Sequence, residues 1–114
     1  MNNALALAQH YFDLSNERNL VAIEALFTAS STYSSTNTGI YLGGDAIMTM
    51  QRGFFASFET MNWSIQKVEE VKAGIVLFDF TFTGKTLTGE QTVFGGQEYV
   101  VVFNQKIQHI EVKT

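Results

Sequence analysis

An α+β domain is predicted by three observations. Helical spacing of apolar residues is confined to the first half of the chain, two-residue alternation dominates the second half, and the breaks between segments fall at Gly, Asn and Ser in a chain with no proline. The expected order is helix, helix, strand, helix, then about four antiparallel strands. Three helices from the N-terminal half would pack on a strongly curved, mostly antiparallel sheet, a cone-shaped roll with a cavity between the layers.

The first helix is expected over Asn2 to Ser15, where Ala4, Leu5, Ala8, Tyr11 and Phe12 follow the i, i+3, i+4, i+7 spacing of one buried face. Asn16 to Asn19 breaks the pattern, and Asn19 suits the N-cap of a second helix, Leu20 to Phe27. Ser30 to Thr38 is rich in Ser, Thr and Tyr and reads as a strand, kinking near Gly39-Ile40-Tyr41 into a second extended piece. Gly43-Gly44-Asp45 opens a third helix to about Phe58, with Ile47, Met50, Gln51, Phe54 and Phe58 on one face and Asp45 in the first turn, where the helix dipole favours an anion.

A strand led by Trp63 and Ile65 then runs to Lys72, and Ala73-Gly74 turns the chain. From Ile75 to Thr83 the even positions Val76, Phe78, Phe80 and Phe82 form one apolar face, against Asp79, Thr81 and Thr83 on the other. Gly84 to Gln97 is a glycine-spaced excursion containing strand. Tyr99, Val101 and Phe103 are taken as inward, with Val100 and Val102 outward, so both faces are apolar there. Asn104-Gln105 makes a hairpin turn into a last strand, Ile107 to Lys113.

Composition narrows the function classes. A length of 114 residues with 46% hydrophobic residues suits one domain, 1–114, with a full core. No cysteine occurs, so disulfides, thiolate nucleophiles and cysteine metal sites are excluded, in keeping with a reducing compartment. The net charge of −4 is spread singly, and without a basic stripe nucleic acid is not an expected partner. No apolar run approaches the roughly 20 residues of a membrane helix, and Met1 to Leu7 lacks the pattern of a signal peptide. A cytoplasmic protein without cofactor or metal is expected.

Several local phrases carry a resemblance across nearly the whole chain: Tyr11-Phe12 on the first helix, Asn16 to Asn19, Leu26-Phe27-Thr28-Ala29 before the first strand, Gly43-Gly44-Asp45-Ala46-Ile47, and Val101-Val102-Phe103 followed by a tight turn and Lys106-Ile107. In this order and spacing they resemble the nuclear-transport-factor-two-like superfamily, which includes SnoaL-like polyketide cyclases and ketosteroid isomerases. The fold hosts isomerases, dehydratases, hydrolases, cyclases and binding proteins, so it does not by itself give a function. For the ketosteroid isomerase branch the resemblance implies an oxyanion-donating tyrosine on the first helix, where Tyr11 stands. It also implies a general-base aspartate on the first strand, where Ser35 stands, and a protonated aspartate on a late strand, where counting back from Phe103 puts Tyr99. The Asp-Arg-Asp set of the hydrolase branch has no counterpart, since the only arginines are Arg18 and Arg52, neither on a predicted strand. The inward histidines of the dehydratase branch are not matched either. His10 falls on the polar side of its helix, and His109 faces outward if Ile110 and Val112 face the cavity.

Each candidate has a structural reading beside the functional one. Tyr11 and Tyr99 could donate to a ligand carbonyl, or be core tyrosines satisfied at the rim. Ser35 has no partner to take its proton and serves as a polar wall or strand residue. Asp79 is a buried base in one register and an outer-face residue in the other, and Glu98 carries the same ambiguity. Phe12, Phe54, Trp63, Phe80, Phe82 and Phe103 converge on the helix-facing side as an aromatic wall or a filled core. The expectation is a homodimer joined through its outer sheet face, whose pocket takes a small apolar or aromatic ligand. The residues assigned to that pocket are Tyr11, Phe12, Ser35, Phe54, Trp63, Phe80, Phe82, Tyr99 and Phe103. Two alternatives remain: an isomerase- or cyclase-type enzyme with Tyr11 and Tyr99 as oxyanion donors and Asp79 as base, and an interaction module acting through the outer face.

Overall fold

The computed structural model describes residues 3–114. Its elements are α1 (Ala4–Asn16), α2 (Leu20–Glu24), β1 (Phe27–Ser35), β2 (Gly39–Leu42), α3 (Gly44–Ala56), β3 (Phe58–Lys72), β4 (Ile75–Thr86), β5 (Gln91–Phe103) and β6 (Lys106–Lys113). One six-stranded sheet has the order β2-β1-β6-β5-β4-β3. All pairings are antiparallel except β1 with β6. Register shifts in β3 after Phe58, Ile65 and Glu70 bend the long β3–β4 ribbon around the helices.

Side-chain caps fix where the helices begin. Asn3 accepts from the Ala6 amide of α1 and Asn19 from the Ala22 amide of α2, each satisfying one orphan donor of a first turn. The α1 start expected at Asn2 lies outside the described residues. Strand pairing decides the ends that periodicity misses. Phe27, expected to close α2, begins β1 opposite Ile107, and Phe58, expected to close α3, begins β3 opposite Thr86. β4 and β5 also extend into the glycine-spaced excursion, leaving only a short turn between Thr86 and Gln91. At the β5–β6 turn Asn104 and Gln105 have φ of 54° and 62°, the doubly left-handed pattern of a tight hairpin.

The Asn16–Asn19 break is a clamp. The Asn16 side chain donates to the Trp63 carbonyl at 3.0 Å and accepts from the Trp63 amide at 2.7 Å, pairing with the free edge of β3 as a strand would. Arg18, at φ 58°, donates to the carbonyls of Phe55, Phe58 and Glu59 and so holds the corner between α3 and β3.

The concave face of the sheet buries Val76, Phe78, Phe80 and Phe82 of β4 against the helices, as the alternation requires. The Phe12 ring of α1 lies 4.3 Å from that of Phe78, and Ile23, Ile47 and Met48 close the layer with no exposed area. Each such side chain contributes about 1.5–3 kcal/mol through burial.

β5 corrects the expected parity. Glu98 and Val100 are buried and Val102 is partly buried against the core, so the even positions face the helices. Tyr99 and Val101 therefore lie on the convex face, and Phe103 is 71% exposed at the strand end. The physical reason is that this strand is apolar on both sides, so alternation gives two faces without saying which is inside. Among the described residues no helix is long and apolar enough to cross a membrane.

Candidate functional site

The core is incomplete at one end. Between α1, α3 and the concave sheet lies a cavity with about 50 Å³ open to the centres of water-sized molecules, within a void of about 560 Å³ that runs out to solvent. By the same measure one water needs roughly 10–15 Å³, so the space holds several waters or one small ring. α1 contributes Tyr11, Phe12 and Ser15, and α3 contributes Gln51, Phe54 and Phe55. From the sheet come Tyr33, Ser35, Trp63, Phe80, Phe94, Glu98 and Val112, while Asn37 and Thr38 of the β1–β2 turn border it.

The walls are aromatic. Trp63 packs on Phe54 and Phe55 at 6.2 and 5.9 Å between ring centres, and Phe80 meets Phe94 edge-on at 6.3 Å. Phe82 stands behind this wall rather than in it, stacked on Phe94 and 4.9 Å from Trp63. Geometry of this kind favours flat apolar surfaces.

Against these walls stand polar groups, among them Tyr11, Gln51 and Glu98. Tyr11 Oη accepts a 2.8 Å hydrogen bond from Gln51 Nε2, and its own proton remains free to point elsewhere. Gln51 Oε1 and Glu98 Oε2 are buried with no hydrogen-bond partner. A buried acceptor without a partner costs about 1–3 kcal/mol, so two around one cavity mark a place where polarity is kept at the expense of stability.

Glu98 is flanked across the sheet by Phe78 and Val112, both apolar and buried. Removal from water disfavours the carboxylate and pushes its pKa up to about 8. At neutral pH the group is mainly the neutral acid, with a proton to donate. Burial raises the Tyr11 hydroxyl well above the usual phenol range, with the nearby Glu98 as the second cause. Tyr33 is raised by burial in the same way. The site thus presents neutral O–H donors, and among the described residues none around it is a histidine, lysine or arginine.

Of the residues expected at the pocket, Tyr11, Phe12, Ser35, Phe54, Trp63 and Phe80 line the cavity and Phe82 backs it. Tyr99 and Phe103 do not reach it. Tyr99 sits on the convex face opposite Leu77 and Glu111, and Phe103 is at the β5–β6 turn. Glu98, one residue earlier than the count from Phe103 put the late-strand position, lines the cavity instead. The pairing of Tyr11 with Tyr99 as oxyanion donors is overturned by the same parity. Asp79 lies on the convex face, where it accepts from Gln97 Nε2 at 3.0 Å, so it is not a base for this cavity. His109 is also on that face, between Thr32 Oγ1 at 2.7 Å and Glu111 Oε1 at 3.1 Å. Neither Arg18 nor Arg52 borders the cavity. No group of three His, Cys, Asp or Glu residues that could hold a metal ion occurs among the described residues. Sequence reasoning gave Gln51 no role and left Tyr33, Phe55 and Phe94 out. The available signal for Gln51 was an amide in the inward row of α3.

Solved structures share this architecture. A Mycobacterium tuberculosis LEH-like epoxide hydrolase superposes with a TM-score of 0.84 at 13% identity, covering 96% of this chain and 80% of that one. A SnoaL-like polyketide cyclase fold from Shewanella putrefaciens CN-32 gives 0.82 at 14% identity, covering 96% and 88%. TerC, co-crystallised with polyporic acid, gives 0.80 at 12% identity, covering 96% and 88%. At such identities the likeness speaks for the fold alone. No curated protein matches the sequence. The model of the SnoaL-like domain matches residues 8–110, nearly the whole chain from the middle of α1 to the core of β6, and the chain belongs to that family.

Proposed function

We propose that this protein binds a small, flat, apolar molecule through one oxygen function, and that the oxygen is held by the Tyr11 hydroxyl and the protonated Glu98 carboxyl. The observation that carries the reading is the pair of unpartnered buried oxygens, Gln51 Oε1 and Glu98 Oε2, set beside Tyr11 in an otherwise aromatic cavity. A ligand carbonyl accepts from Tyr11 and Glu98, and a ligand hydroxyl can in addition donate to Gln51 Oε1. Two neutral donors in a desolvated site suit an oxygen bearing partial or full negative charge. Moving a proton needs a further base, and among the described residues the titratable groups on this cavity are Glu98 and the two tyrosines. The site is therefore read as a binding site.

Apolar area supplies most of the affinity, at about 25 cal/mol per Å² before association costs. A neutral hydrogen bond adds on the order of 1 kcal/mol, or about fivefold. The test titrates a phenol and its hydrocarbon analogue against the parent protein, Tyr11→Phe and Phe80→Ala, following Trp63 fluorescence. Tyr11→Phe is expected to weaken the phenol about fivefold and leave the hydrocarbon nearly unchanged, and Phe80→Ala to weaken both. Equal loss of both ligands in Tyr11→Phe would mean that the hydroxyl is structural.

The convex sheet face supports a second element of the proposal, a homodimer. The register gives this face Leu77, Tyr99 and Val101 on β4 and β5, and Ile40 and Leu42, 74% and 73% exposed, on β2, with Thr32, Ser34, His109 and Glu111 between the two groups. Apolar side chains on one sheet face are a liability on a monomer, and two such groups flanking a polar strip suit a symmetric contact between two copies.

A further inference from the structure

We infer that the ligand of this cavity carries an alkyl tail that leaves through the mouth at Thr38 and Phe54 and lies in a groove along α3. This rests on the head-group site proposed above. Thr38 and Phe54 border both the cavity and the groove, so the two spaces meet there. The groove runs between the α3 face, with Ala46, Met50 and Gly53, and the side chain of Tyr41. Tyr41 is held in position by its hydroxyl donating to the Thr38 carbonyl at 2.8 Å and by an edge-on contact with Tyr33 of the cavity wall.

Three features point to a tail rather than to an idle crease. The cavity has room for one ring and little more, so any larger ligand has to pass the mouth. The floor is apolar at Ala46 and Met50, with Thr49 also lining it, and it is adaptable, because Met50 is an unbranched side chain that conforms to what lies on it. The third feature is Gly53. It sits inside a 13-residue helix, where glycine is unfavourable relative to alanine, yet a Cβ there would meet nothing within 4 Å. No packing neighbour demands that glycine, and what its missing side chain leaves open is the groove next to the mouth. From Gly53 to Ala46 the helix advances about 10 Å, the reach of an extended chain of roughly eight carbons. Asp45 stands at the far end, so the tail should end without negative charge.

The experiment uses a series of 4-alkylphenols, from methyl to heptyl, titrated calorimetrically against the full chain, Gly53→Leu and Tyr11→Phe. In the parent protein the affinity is expected to rise about two- to fourfold per methylene. Gly53→Leu fills the groove and should flatten that dependence while leaving the methyl member unchanged. Leucine is the better helix former, so the fold should hold, and urea unfolding of the variant verifies it. Tyr11→Phe should weaken every member by the same factor and preserve the slope. Parent-protein binding that does not depend on chain length would overturn the tail and leave the head-group site standing, and so would a slope unaltered in Gly53→Leu. Failure of every phenol to bind the parent protein would overturn the head-group reading and the tail with it.

Discussion

Glu98→Gln is expected to make the protein more stable, increasingly so as pH rises. In the unfolded chain Glu98 ionises near its ordinary value of 4.5, whereas in the fold it keeps its proton until about 8. Between these two values the folded state binds one more proton than the unfolded state. Stability therefore falls as pH rises across the window, by about 1.4 kcal/mol per pH unit. The contribution is intact below the lower value and fully lost above the upper one, a total on the order of 5 kcal/mol. That is a large share of the ~5–15 kcal/mol typical of a domain. Glutamine has nearly the same shape, carries no charge at any pH and removes the penalty. Urea unfolding of both proteins at pH 5, 7 and 9 provides the measurement. The difference in unfolding free energy should be small at pH 5, a few kcal/mol at pH 7, and level off above pH 8. A difference that stays constant from pH 5 to pH 9 would refute the reasoning, because it would mean that Glu98 titrates alike in the folded and unfolded chain.

Two other perturbations test the frame around the site. A Cβ at Gly84 would come within 2.8 Å of the Phe58 ring and 2.9 Å of the Phe82 ring, so Gly84→Ala should cost about 1–3 kcal/mol and lower the melting temperature by several degrees in calorimetry. Val101→Glu adds a charge to the convex face and is expected to convert a dimer to a monomer in light scattering at micromolar concentration, with helix and strand content unchanged by circular dichroism. A monomeric parent protein at that concentration would count against the dimer.

The fold was legible wherever one side of an element is apolar and the other is not. β4 is the clearest case: phenylalanines at even positions and Asp79, Thr81 and Thr83 at odd positions leave one orientation with a buried core, and that orientation is the one adopted. The helices were legible for the same reason, and their starts were marked by Asn19 and by Gly43-Gly44. Their ends were not, because Phe27 and Phe58 are equally good as the last inward residue of a helix and the first inward residue of a strand. What decides is the strand partner, Ile107 for one and Thr86 for the other, and both partners lie far along the chain. Local spacing carries no information about them.

The site was half legible for a related reason. Helix residues such as Tyr11 and Phe54 are oriented by a stripe that admits one inward direction, and Trp63 alternates with the polar Asn62 and Ser64. β5 offers Tyr99, Val101 and Phe103 on one face and Val100 and Val102 on the other, so its hydrophobic content cannot orient it. The polar residues do not orient it either, since each face carries one, Gln97 or Glu98. If the odd face were inside, the core would lose Val100 and gain Gln97 beside Tyr99, and Glu98 would be an ordinary exposed carboxylate. With the even face inside, the strand buries a carboxyl between Phe78 and Val112 with one oxygen unpaired. Stability alone favours neither the unpaired carboxyl nor the unpaired amide of Gln51 facing the same space. Two local penalties that coincide around one cavity, on elements 47 residues apart in sequence by their numbering, are hard to explain by packing. A ligand that completes the hydrogen bonds of both gives them a common cause.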